Sequence, residues 1–114
     1  VLVMVSDIFG STSGQHEAFA DTFATFGYNV YLPELLVDPY NGEMDMGKIV
    51  ASIKGQDFGV MRARFEGLVK YLEEKGHKRF FVVGFCWGVW FAFKMACEFD
   101  HIVAIAGMHP SLGV

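Results

Sequence analysis

One cysteine, flanked by glycines, is the side chain best placed to carry chemistry. Gly84-Phe85-Cys86-Trp87-Gly88 has the G-x-S-x-G pattern of a nucleophile elbow, with cysteine in the serine position. Such an elbow is a sharp turn from a strand into a helix, and its glycines let neighbouring backbones pass closely. The N–H groups that begin the helix favour a thiolate and an oxyanion. The motif predicts that Cys86 is a nucleophile; the alternative is an inert cysteine between two packing glycines.

The elements that must position this cysteine alternate along the chain. The predicted strands are Val1–Val5, Tyr28–Leu32, Arg79–Val83 and Ile102–Ala106. The predicted helices are Gln15–Phe26, a short one at Gly47–Ile53, Asp57–Lys75 and Trp87–Glu98. Thr12 or Ser13 is the predicted N-cap of the first helix, and Asp57 is that of the third. Because each strand is apolar throughout, we predict an α/β fold whose parallel sheet is covered by helices on both faces.

In such a sheet, ligands bind beyond the carboxyl ends of the strands. The segments that follow the predicted strands are Ser6–Gly10, Pro33–Asp38, Gly84–Gly88 and Gly107–Ser111. Parallel strands end at one edge, so we expect the functional site among these segments.

The composition excludes several classes of protein. A chain of 114 residues with 53% hydrophobic and 19% charged residues indicates one folded domain and excludes disorder. The net charge of −4, without a Lys/Arg cluster, argues against nucleic-acid binding. The uncharged run at 80–93 is shorter than the roughly 20 residues of a membrane span, and it predicts a buried strand followed by a buried helix.

The cysteines and histidines indicate no cofactor and no metal. Cys86 and Cys97 have the spacing of neither a disulfide framework nor a metal-ligand pair, and the histidines have no ligand partners nearby in sequence. The two cysteines favour a reduced, cytoplasmic setting. Because the chain opens within one predicted strand and stops just after another, we expect residues 1–114 to be the central portion of a single domain, incomplete at both ends.

Four short motifs, each after a predicted strand, are similar to motifs of one enzyme family. They are Asp7-Ile8-Phe9-Gly10, Tyr31-Leu32-Pro33-Glu34-Leu35, Gly84-Phe85-Cys86-Trp87-Gly88 and His109-Pro110-Ser111. Together they resemble the dienelactone hydrolase family. The resemblance implies an α/β-hydrolase fold and a Cys-His-Asp triad that opens lactones and related esters.

The resemblance also implies roles for individual residues. Cys86 would be the nucleophile, and the backbone N–H groups of Ile8 and Trp87 would form the oxyanion hole. Asp7 replaces a glutamate beside the nucleophile; it either serves as that acid or satisfies N–H groups of its own loop. His109 lies at the correct edge, where it either approaches Cys86 as a base, lines the pocket or hydrogen-bonds the loop.

Other candidate residues are expected to have structural roles. Asp100 and His101 precede the last strand, at the edge opposite Cys86, and therefore do not join it. We expect His16 and His77 in solvent at helix ends, and Cys97 in the core.

Three further pairs of residues have both a structural and a chemical interpretation. Arg62 and Arg64 fall on the polar face of their helix, which we favour over binding of a substrate carboxylate. Glu34 and Asp38 either cap the loop at the ligand edge or take part in catalysis. Trp87 and Trp90 either contact substrate or pack in the core, which is the commoner place for Trp90.

Three functions remain open. The first is a hydrolase that opens a lactone or ester through a thioester on Cys86, with a histidine beyond Val114 to activate water. The second is a non-catalytic, truncated hydrolase-like interaction module with an unpaired sheet edge and an exposed apolar face. The third is a glutamine amidotransferase-type enzyme, which Val89 and Trp90 disfavour because Gln or His usually follows that elbow.

Overall fold

The chain folds into a parallel sheet with helices, and the computed structural model describes residues 1–111. The strands are β1 (Leu2–Val5), β2 (Val30–Tyr31), β3 (Phe80–Phe85) and β4 (Ile102–Met108). The helices are α1 (His16–Thr25), α2 (Met46–Gly55), α3 (Phe58–Glu74) and α4 (Trp87–Glu98). Within these residues the strand order is β2-β1-β3-β4, and every neighbouring pair is parallel. The predicted α/β class is confirmed.

Alternating residues of the strands build two hydrophobic layers, one on each face of the sheet. On one face, Val3, Val5 and Val82 pack with buried residues of α2, α3 and α4. Those helix residues are Ile49, Met61, Phe65, Val69, Leu72, Trp87, Phe91, Ala92 and Met95. On the other face, Leu2 and Met4 pack with side chains of α1. The sheet is therefore held between helices where it carries the elbow.

Within residues 1–111, β4 packs against helix side chains on one face of the sheet. Most β4 side chains are exposed, and Val103 of β4 and Phe81 of β3 each keep 42% of their surface accessible. The reason is geometric: β4 is an edge strand of the described sheet, and on that face α1 packs against β1, β2 and the end of β3 but not against β4.

The predicted N-cap is correct for α3 and wrong for α1. Asp57 caps α3 as expected, because its Oδ1 accepts a hydrogen bond from the Val60 N–H at 3.2 Å. The expected cap of α1 is wrong: its N-cap is Gln15, which makes no side-chain capping bond. Ser13 instead donates to the Gly10 carbonyl at 2.8 Å, so its hydroxyl stabilises the loop before the helix.

The apolar run at 80–93 divides between β3 and α4, as predicted. Across residues 1–111, none of the helices combines the length and the apolar character that crossing a membrane requires.

Candidate active site

Cys86 occupies the single position between β3 and α4. Phe85 ends the strand and Trp87 begins the helix, so the chain reverses its direction at the cysteine itself. Cys86 has φ 58° and ψ −120°. Only Cys86 and His109 among the non-glycine residues of the described part have positive φ. A side chain held in this costly conformation is typical of a nucleophile elbow and of functional sites in general.

The glycines on either side of Cys86 are required by close backbone contacts. A Cβ atom on Gly84 would lie 2.6 Å from the carbonyl oxygen of Gly88. A Cβ atom on Gly88 would lie 2.6 Å from the oxygen of Ser6 and 2.7 Å from that of Val5. The start of α4 is therefore pressed against both β3 and the end of β1, which brings the elbow next to the β1–α1 loop.

The end of β4 and the segment that follows it are hydrogen-bonded to Cys86 of the elbow. The Cys86 N–H donates to the Met108 carbonyl at 3.0 Å, and the Ser111 N–H donates to the Cys86 carbonyl at 3.1 Å. The Ser111 Oγ lies 3.1 Å from the partly buried Cys86 Sγ, within hydrogen-bond distance. The sequence placed Ser111 at the ligand edge but gave no sign of this contact, which depends on β4 continuing to Met108.

The two proposed oxyanion donors lie at the same edge. Trp87 is the first residue of α4, where backbone N–H groups have no acceptor within the helix. Ile8 follows β1, and its carbonyl accepts a hydrogen bond from the Tyr40 N–H at 2.8 Å, which fixes the orientation of the loop. Within residues 1–111, the Ile8 N–H itself has no hydrogen-bond acceptor.

Asp7 is bound within its own loop and to a buried histidine. Its Oδ1 accepts from the Phe9 N–H at 2.9 Å, and its Oδ2 lies 3.3 Å from Nε2 of His16. The structure thus shows Asp7 satisfying a loop N–H. No hydrogen bond in the described part of the chain joins it to Cys86, and its role beside the nucleophile stays a prediction.

The expectation that His16 is solvated is wrong. His16 is 5% exposed, and its ring packs edge-on against Phe85, with centroids 4.9 Å apart. The first turn of α1 faces the sheet, so its first residue is enclosed between the β1–α1 loop and the end of β3. His16 therefore connects the segment that carries Ile8 to the end of β3, directly before Cys86.

An apolar cavity of about 270 Å³ adjoins the elbow. Trp87 and Ser111, the neighbours of Cys86 in sequence and in space, are part of its wall. The remaining lining residues come from α2, α3 and α4 and the α2–α3 connection: Ile53, Lys54, Gln56, Phe58, Met61 and Trp90. Trp87 and Trp90 thus line this cavity, and both also pack against core residues.

The sequence of this chain matches a known protein family over nearly the whole of residues 1–114. A model of the dienelactone hydrolase family matches residues 1–113. The chain belongs to the dienelactone hydrolase family. This membership and the fold agree with the resemblance of the four motifs.

Curated relatives from animals share low sequence identity with this chain. The protein named carboxymethylenebutenolidase homolog of Mus musculus is 28% identical over 90 residues, which are 76% of this chain and 37% of the relative. The proteins of the same name from Rattus norvegicus and Homo sapiens are 27% and 26% identical over the same shares. The chain thus spans little more than a third of the length of the curated relatives it matches.

The other histidines of this family member lie outside the elbow or at its border. His109 follows β4 and is exposed; its ring is 6.3 Å from that of Phe85. His101 stacks on Phe80 and pairs with Glu73 at the end of α3, at the edge where β3 and β4 begin. His101 therefore lies at the edge opposite Cys86, as predicted.

The charged candidates have structural partners. Arg62 pairs with Glu66 and Glu98 on the helix surface, and its hydrogen bond to Glu98 raises the pKa of the guanidinium. Arg64 donates to the Leu36 carbonyl at 2.9 Å, which fixes the long connection after β2. The favoured structural reading of the arginines agrees with these contacts.

Glu34, Asp38 and Cys97 lie in loops or on the surface of a helix. Glu34 accepts a hydrogen bond from the Ser11 N–H at 3.1 Å, which is a loop contact. The Asp38 side chain is exposed, while its carbonyl accepts from Gln56 at 3.0 Å. Cys97 is exposed, so its expected place in the core is wrong; it lies on the outer side of α4.

Proposed function

We propose that this chain supplies the nucleophile and the oxyanion hole of a hydrolase that opens a lactone or ester through a thioester acyl-enzyme. One observation carries the proposal: Cys86 has a positive φ between β3 and α4, with Gly84 and Gly88 at backbone contact on either side. Membership of the dienelactone hydrolase family supports the class of reaction.

In the proposed reaction, the Cys86 thiol transfers its proton to a base and the sulfur attacks the carbonyl carbon. A carbon–sulfur bond forms, and the carbonyl electron pair moves to the oxygen. The N–H groups of Ile8 and Trp87 donate to this oxyanion; one such donor typically contributes 10²–10³-fold to the rate. Collapse of the intermediate expels the alkoxide, which takes up a proton, and leaves a thioester on Cys86.

Water then attacks the thioester and releases the acid and the free thiol. The family resemblance assigns the activation of this water to a histidine, and the proposal places that histidine outside residues 1–114. His109 is the alternative base within the chain, because it follows β4 at the correct edge.

Burst kinetics on the full-length protein test the proposal. With p-nitrophenyl acetate, we expect a burst of one nitrophenolate per protein, which the Cys86→Ala variant abolishes. The Cys97→Ala variant is the matched control, since Cys97 is an exposed thiol of the same helix region, and its burst equals that of the wild type. An unchanged burst in Cys86→Ala contradicts the proposal.

A non-catalytic interaction module is the second candidate, and the exposed apolar side chains of β3 and β4 favour it. Phe81, Val103 and Met108 are each exposed by more than 40%. This candidate predicts a protein that oligomerises or aggregates through these side chains and shows no burst.

We also propose the cytoplasm as the location of the protein. The support is the state of Cys86 and Cys97, which are both free thiols and fit a reducing compartment.

A further inference from the structure

We infer that the cavity beside the elbow binds the acyl group of the substrate and selects aromatic or longer alkyl acyl groups over acetyl. The inference rests on the proposed function and names the substrate class of the same site. Its starting point is position: Ser111 lines the cavity, and its Oγ is 3.1 Å from the Cys86 sulfur. The cavity wall therefore begins one hydrogen-bond length from the atom that the acyl carbon joins.

Most of the wall is apolar, and the one cation among the lining residues that the structure describes, Lys54, is exposed to solvent; this lining favours an apolar occupant. Ile53, Phe58, Met61 and Trp90 provide aliphatic, thioether and aromatic surface. Gln56 is the amide in this wall, but its Nε2 already donates to the carbonyls of Asp38 and Ser52, at 3.0 and 3.3 Å. Its N–H groups are thus held by the protein, and a polar acyl chain gains little from them.

The aromatic rings of the wall also pack against one another and against Phe91. The Phe58 ring packs edge-to-face against Trp90, with centroids 5.7 Å apart, and against Phe91 at 6.1 Å. Trp87 makes a similar contact with Phe91 at 5.4 Å. Edge-to-face networks hold ring orientations, and a flat ring entering the cavity extends the same packing.

The size of the cavity separates small from large acyl groups. An apolar cavity of about 150 Å³ holds a benzene molecule, and this cavity measures about 270 Å³. An acetyl methyl fills only a small part of it, whereas a benzoyl or hexanoyl group reaches its walls. Each buried methylene corresponds to about a fourfold gain in acylation rate. From acetyl to butyryl we expect about 15-fold.

The first test compares p-nitrophenyl acetate, butyrate, hexanoate and benzoate on the full-length protein. The leaving group is constant, so differences in acylation rate report the acyl side. We expect butyrate, hexanoate and benzoate to acylate at least tenfold faster than acetate. Equal rates for acetate and butyrate overturn the inference.

Variants of the wall connect this preference to the cavity. Trp90→Ala removes one wall, and Ile53→Trp fills the space from α2; both reduce the benzoate-to-acetate ratio at least fivefold. Phe93→Ala is the matched control on α4, because Phe93 is exposed and lies outside the cavity lining; it leaves the ratio unchanged. If the benzoate-to-acetate ratio is unchanged in both Trp90→Ala and Ile53→Trp, the inference is overturned.

A binding measurement separates the failure of this inference from the failure of the proposed function. In the Cys86→Ala variant, which forms no thioester, we titrate N-methylbenzamide and N-methylacetamide and follow the fluorescence of Trp87 and Trp90. Saturable quenching by the benzamide alone, lost in Ile53→Trp, supports the cavity even if no ester is hydrolysed. No quenching by the benzamide in the folded Cys86→Ala variant, while the wild type hydrolyses acetate, overturns the cavity and leaves the nucleophile in place.

Discussion

Replacement of Gly88 by alanine tests the close packing that forms the elbow. The added Cβ would lie 2.6 Å from the Ser6 oxygen, 2.7 Å from the Val5 oxygen and 3.0 Å from the Val5 Cγ1. The two nearest atoms are backbone atoms at the end of β1, so no side-chain rotation relieves the contact. Ordinary contact begins at 3.4 Å, and the start of α4 must therefore retreat by about 0.8 Å (3.4 minus 2.6).

This displacement affects both stability and activity. Overpacking of this kind typically costs about 1–3 kcal/mol of the free energy of unfolding. For a full-length protein of the relatives' size, about 240 residues (90 divided by 0.37), each kcal/mol lowers Tm by about 2–4 °C. The Trp87 N–H moves with the helix, and misplacement by about 1 Å costs up to 10²-fold in rate. We expect Gly88→Ala to lower Tm by roughly 2–12 °C and the acylation rate by more than tenfold.

Gly67 offers a matched control. It lies within α3, and a Cβ atom there meets nothing within 4 Å. Gly67→Ala therefore stabilises the helix by about 0.5–1 kcal/mol and leaves acylation unchanged. Thermal unfolding and stopped-flow acylation of both variants of the full-length protein give the comparison. If Gly88→Ala is as stable and as active as Gly67→Ala, the reasoning about the elbow is refuted.

Two further substitutions test the elements around the site. His16→Gln removes the pair with Asp7 and the ring contact with Phe85, so urea unfolding should show that the free energy of unfolding falls by about 1–3 kcal/mol. His77→Gln, at a partly exposed histidine, is the control and should lower it by less than about 0.5 kcal/mol. Equal losses in the two variants contradict the role given to His16. Asp57→Ala removes the cap of α3, and the same measurement should show a loss of about 1 kcal/mol, which Asp57→Asn largely restores; an unchanged stability in Asp57→Ala speaks against the cap.

The elbow and the strong helices could be predicted because local sequence determines them. The bounds predicted for α4, Trp87 to Glu98, are those of the structure, since the elbow begins this helix and an apolar face continues it. Asp57 was recognised as a cap because its side chain acts on the N–H groups of the next turn. Such interactions span three or four residues, and a single sequence displays them directly.

The contacts that join distant segments could not be predicted in the same way. His16 is a polar residue at a helix start, and its burial depends on which side of α1 faces Phe85. Ser111 reaches Cys86 only because β4 runs parallel to β3 as far as Met108. Exposure of β4 likewise depends on where α1 lies across the sheet, and the apolar pattern of that strand does not contain this information.

The location of the acyl group on the protein tests the central claim most directly. The full-length protein is mixed with p-nitrophenyl butyrate, quenched in acid within the burst and digested, and the peptides are mapped by mass spectrometry. We predict a butyryl mass on the peptide that contains Cys86 and none on the peptide that contains the exposed Cys97. A butyryl group on Cys97 with unmodified Cys86, or labelling that persists in Cys86→Ala, contradicts the assignment of Cys86 as the nucleophile.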